Sequence, residues 1–135
     1  MLRALKRLLR PGGRIAYTTI YVKPGLSDSQ RRRAHRSGPR AVASRSEQTQ
    51  LLASAGFVDI DLFDVTAEFA VTARAWLSEA ETHADALAAV EAPGAFDERQ
   101  RERRTQLAAV EDGLLKRGML SATRPWPWAG RSRRR

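Results

Sequence analysis

The sequence contains no cysteine. That excludes disulfides, thiolate metal sites and cysteine nucleophiles, and it permits a reducing compartment. Also missing is any run approaching the ~20 apolar residues that cross a bilayer. The opening "MLRALKRLLRPGG" has neither the apolar core nor the small-residue cleavage site of a secretory leader. A cytoplasmic protein with no membrane partner is therefore expected. No serine lies in a G-x-S-x-G elbow, which leaves hydrolase chemistry of that kind without a nucleophile. No G-x-G occurs either, and with it goes the loop that cradles phosphates in dinucleotide-binding sheets.

Lysine is scarce, with only Lys6, Lys23 and Lys116, so the net charge of +9 is built from arginine. A basic balance points to anionic partners, although arginine bias also follows from a GC-rich genome. The 135 residues fit one domain with a modest core.

Among the residues present, Leu2, Leu5, Leu8 and Leu9 recur at helical spacing, with Arg3, Lys6, Arg7 and Arg10 opposite them, and predict a helix at about 2–9. Pro11 stops it and Gly12-Gly13 turn the chain. A strand follows at 14–22, where "RIAYTTIYV" is nearly all apolar or β-forming, as in a sheet covered on both faces. Residues 23–43 are rich in Gly, Pro, Ser and Arg and read as an arginine-rich loop or lid. Ser44 and Glu47 then form a capping box for a helix at 45–55, closed by Gly56.

In "FVDIDLFDV", 57–65, Val58, Ile60 and Leu62 alternate with Asp59, Asp61 and Phe63, the pattern of a strand near a sheet edge. Thr66 is placed to cap a long helix at 67–91, striped by Phe69, Ala73, Trp76, Leu77, Ala80, Ala84, Leu87 and Val90. A further helix is expected at 97–115, with Leu107, Val110 and Leu114 inward, and a third strand at 118–124. Residues 126–135 read as a basic mobile tail, setting 1–125 as the domain.

The order helix, Pro-Gly-Gly, strand, capped helix, Ala-Gly-Phe, acidic strand and distant last strand resembles the C-terminal half of class I S-adenosylmethionine-dependent methyltransferases. The residues that carry the resemblance are "LRPGGRIAYTTI" at 9–20, "LLASAGFVDIDLFDVT" at 51–66 and "LLKRGMLSATRP" at 114–125. It implies an α/β fold, the C-terminal part of a Rossmann-like sheet whose first strand here pairs with a strand that precedes this chain. It further implies that the intact family member moves a methyl group from S-adenosylmethionine to a small-molecule acceptor. The glycine-rich loop that holds the cofactor in the family has no counterpart here, so no residue is assigned to cofactor binding. The chain alone is expected to be inactive and cofactor-free, with the other half supplied by a preceding segment or a separate chain. By the same resemblance Thr18, Thr19 and Tyr21, at the end of the first strand, and His35 in the following loop would line the acceptor pocket.

Other candidates are weaker. His35 sits in an arginine-rich loop, and nothing pairs it with a nucleophile. His83, beside Glu79 and Asp85, lacks a second histidine at metal-ligand spacing. Asp59, Asp61 and Asp64 imitate a D-x-D metal motif, but alternation already explains two of them as solvent-facing, and no metal is expected. Arg31, Arg32, Arg33, Arg36 and Arg40, together with the arginines at the C-terminus and Trp126 and Trp128, offer an alternative: a basic nucleic-acid-binding module. A helical interaction protein built on Phe69 to Val90 is a third reading.

Overall fold

The computed structural model describes residues 1–127; Trp128 and the C-terminal arginines lie outside the described residues. In chain order the elements are α1 (Leu2–Leu8), β1 (Arg14–Val22), α2 (Asp28–Ser37), β2 (Ala43–Ser44), α3 (Arg45–Ser54), β3 (Val58–Asp64), α4 (Thr66–Thr82), α5 (Ala84–Ala89), α6 (Ala95–Glu111) and β4 (Leu115–Thr123). The four strands form one mixed sheet in the order β2-β1-β4-β3. β4 runs antiparallel to both neighbours and pairs with β1 from Arg14–Thr123 to Val22–Leu115. β2 adds only two parallel pairs, Tyr21–Ala43 and Val22–Ser44.

Strand alternation sends apolar side chains to both faces, and each face has its own core. On one, Ile20, Val22 and Leu115 pack with Ala34 of α2, Ala70 and Ala73 of α4, and Leu107 and Val110 of α6. On the other, Ile15, Tyr17, Leu120 and Ala122 meet Leu2, Leu9, Leu52 and Phe57 from the α1 and α3 side. The first layer reaches only the end of β1 at Val22. Further back on that face Ala16 and Thr18 are exposed, as are Met119 (38%) and Phe63 (50%) in the same cross-strand row as Thr18. β1 is thus buried from Ile20 to Val22 but not along its whole length, in contrast to the expectation from its composition.

Several element boundaries differ from the sequence reading. The presumed loop at 23–43 holds the ten-residue α2, capped by a reciprocal Ser27–Gln30 box. The long helix breaks at His83 (φ −109°, ψ 22°) into α4 and α5. α6 stops at Glu111 because Gly113 turns at φ +71°, which frees Leu115 to begin a nine-residue β4. Leu8, expected inward, is 83% exposed. In β3, Asp59 adopts φ +50° within a bulge between Val58 and Asp61, so strict alternation resumes only at Asp61.

The turn at Pro11-Gly12-Gly13 is tied to the end of β4. Gly12 donates to the Arg124 carbonyl and Arg124 to that of Gly13, both at 2.8 Å. The Arg124 guanidinium donates to the carbonyls of Lys6, Arg7 and Leu9, closing the C-terminal end of α1 with a cation. Trp126 lies against Gly12, where a β-carbon would fall 2.7 Å from its indole nitrogen.

Candidate functional site

In open α/β sheets ligands lie beyond the C-terminal strand ends. Here that is where β1 and β2 finish side by side. A cavity of about 860 Å³ opens there between the segment after β1 and the start of α3, and its lining includes Val22, Lys23, Leu26, Arg31, His35 and Arg45. α3 is directed at it by Ser44, whose hydroxyl accepts the Glu47 N–H at 3.2 Å while the Glu47 carboxylate accepts the Ser44 N–H at 2.6 Å. That second bond is the largest of the causes that lower the Glu47 pKa below the usual carboxylate range.

A second cavity, about 640 Å³, lies where β3 ends and β4 begins and includes Asp64, Thr66, Arg74, Glu111 and Lys116 in its wall. Lys116 Nζ meets Asp64 Oδ2 at 2.6 Å, and Thr66 donates both its N–H and its hydroxyl to Asp64 Oδ1. The Lys116 bond first, then the Thr66 hydroxyl, lower the Asp64 pKa to about 2. Lys116 is raised in turn, chiefly by its bond to Asp64. The buried Tyr21 is raised as well, first by desolvation and then by Asp64, with Lys116 and Arg45 opposing. It stays a neutral phenol at physiological pH.

The sequence-derived candidates do not converge on one point. Thr18 is exposed on the half-bare sheet face and accepts a bond from the Arg117 guanidinium, which lies 5.0 Å from the Phe69 ring centre. Thr19 points to the opposite face and donates to the Ile20 carbonyl. Tyr21 is buried beneath the Asp64–Lys116 pair's side of the sheet, and His35 lines the larger cavity. The five arginines of the basic run are also dispersed. Arg31 lines that cavity, Arg32 is exposed on α2, Arg33 pairs with Asp112, and Arg36 and Arg40 border a separate cavity with Glu102. The sequence reading assigned no site role to Lys23, Arg45 or Lys116, and weighed Asp64 only as part of an apparent D-x-D metal motif. Asp64 directly before a helix start was the one available signal.

Among the described residues no group of three or more His, Asp or Glu side chains is placed to hold a metal, and no helix is long and apolar enough to cross a membrane.

No family model and no curated sequence matches the chain. Solved structures do. Phosphoethanolamine N-methyltransferase 2 of Haemonchus contortus superposes with a TM-score of 0.67 at 20% identity over 92% of this chain and 29% of that one; the solved form holds S-adenosylmethionine. A Galdieria sulphuraria protein described as a sarcosine dimethylglycine methyltransferase gives 0.73 at 16% identity, covering 92% and 46%. The chain has a methyltransferase fold. A mycolic acid cyclopropane synthase gives 0.70 at 15% identity over 90% of this chain and 52% of that one. The chain spans between 29% and 52% of the length of these three structures.

None of the connections from β1, β2 or β3 into the following helix carries a G-x-G, and the larger cavity is lined by Lys23, Arg31 and Arg45, cations that repel the sulfonium of S-adenosylmethionine.

Proposed function

We propose that these residues form the acceptor-side part of an S-adenosylmethionine-dependent methyltransferase, and that the cofactor is held by polypeptide pairing along the open edge of β1. One observation carries the reading. β1 is paired over its whole length with β4, yet from Arg14 to Ile20 its other edge has no partner among the described residues. The half-bare face beside that edge, with Ala16, Thr18, Met119 and Phe63, supports the same view: further structure belongs there. The likeness in fold to methyltransferases supplies the reaction class, and the poor fit of this chain to the cofactor supplies the division of labour.

In this reading the chain's part is positioning. It holds a small-molecule acceptor beyond the end of β1, in line with a methyl donor presented from the neighbouring half, where fixed geometry replaces a bimolecular encounter. Alone, the chain binds no cofactor and transfers no methyl group. Calorimetric titration with S-adenosylmethionine at physiological salt tests this directly. No binding heat is expected; saturable micromolar binding overturns the division of labour and makes the chain an enzyme in its own right.

A further inference from the structure

The larger cavity carries more positive charge than its surroundings neutralise. Lys23 and Arg45 form no ion pair with any described residue. Arg31 approaches Asp28 only at 3.7 Å, with both side chains more than half exposed, so that contact contributes little. The one carboxylate in the wall, Glu47, is occupied by the Ser44 N–H and so is turned to the helix cap. Val22, Pro24 and Leu26 give the same cavity an apolar side.

We propose that this cavity binds a small-molecule anion, a phosphate or carboxylate group, through Lys23, Arg31 and Arg45, with the remainder of the ligand against Val22, Pro24 and Leu26. Three cationic residues in the wall of one concave space without matching carboxylates favour an acidic group, and charge-assisted bonds to it are about twice as strong as neutral ones. A chemically acidic acceptor would then be oriented by its anionic end, leaving the opposite end free to face the neighbouring half. Assigning the anion to a methyl acceptor rests on the function proposed above; the binding of the anion does not.

The test follows backbone amide shifts of the full chain titrated with inorganic phosphate and, separately, with acetate at constant ionic strength. Saturable shifts at Lys23, Gly25, Arg45 and Ser46 are expected, and the ion that saturates at lower concentration identifies the group as phosphoryl or carboxylate. All three cations are solvent-accessible, so their substitution leaves the fold intact. Lys23→Gln combined with Arg45→Gln should weaken binding about tenfold or more, whereas Arg36→Gln with Arg40→Gln should change nothing. Linear, unsaturable shifts with both ions overturn the proposal, as does equal weakening in the Arg36 and Arg40 variant, which would indicate diffuse attraction of the kind that binds nucleic acid. The S-adenosylmethionine titration reads a different ligand, so loss of the methyltransferase reading leaves this result interpretable on its own.

Discussion

Asp64 uses its two carboxylate oxygens for different ends: Oδ1 receives the first turn of α4 through Thr66, and Oδ2 binds Lys116 across the sheet. The folded state therefore favours the ionised form and lowers its pKa from an ordinary 3.8 to about 2. A depressed carboxylate stabilises the fold above its unfolded pKa, and the contribution disappears as pH falls through the folded value. Asp64→Asn should cost stability at pH 7, by less than about 1 kcal/mol because the pair is partly solvated. Its melting curve should converge on that of the parent below about pH 2. An unchanged difference across that range would show that the effect lies in shape rather than charge. A steric prediction applies to Gly118 in the middle of β4, where a β-carbon would sit 2.9 Å from the Tyr21 ring and 3.2 Å from Leu62. Gly118→Ala should destabilise by about 1–3 kcal/mol in denaturant titration, since neither neighbour is at the loose end of a flexible side chain. In the sequence Asp64 stood out only as part of an apparent D-x-D motif, and Gly118 only as a glycine. Asp64 and Lys116 are brought together only by the sheet register, and Gly118 looks like any other turn-former until Tyr21 is placed beside it.

At the scale of elements, local chemistry was more readable where it closes on itself. Ser44 and Glu47 form the reciprocal cap that their spacing predicts, and Gly56, at φ +83°, ends α3 with Phe57 donating to the Leu52 carbonyl at 3.1 Å. Ser44→Ala should cost about 1 kcal/mol in thermal or urea unfolding, as for other caps of this type. The same box in "SDSQ" went unread, because α2 is arginine-rich, buries only Ala34 and is flanked by Pro24-Gly25 and Gly38-Pro39. Composition hid a helix that a cap announced. Thr66 was read as a cap in its own right. In the structure Asp64 receives the Thr66 groups, and Val65 stands at the N-cap without a side-chain bond. The bulge at Asp59 was not foreseeable from alternation, since inserting one residue preserves the polar-apolar rhythm on either side.

On the scale of the whole molecule the two edges of the sheet are built differently. The β3 edge is broken by the bulge at Asp59 and carries exposed Asp59 and Asp61, features that discourage another strand from adding. The β1 edge has none of these from Ile15 to Ile20: it is regular, uncharged and paired with β2 only at its last two residues. The Pro-Gly-Gly entry and apolar run made such a strand legible in the sequence, and the resemblance implied a neighbour for it. Which part of the sheet face is left uncovered emerged only from its uneven burial, with Ala16, Thr18, Met119 and Phe63 exposed. In an antiparallel pair successive residues direct their N–H groups alternately to the partner and away from it. Hydrogen exchange on dilute chain should therefore find β1 amides between Arg14 and Ile20 alternating between slow and fast, the slow set being those bonded to β4. Raising the concentration into the micromolar-to-millimolar range should slow the fast set as edges pair with one another. Ala16→Lys, which places a charge on that exposed stretch, should keep them fast without changing the unfolding midpoint. Uniform protection at every concentration would mean that the edge is already satisfied, and the case for a missing neighbour would fall with it.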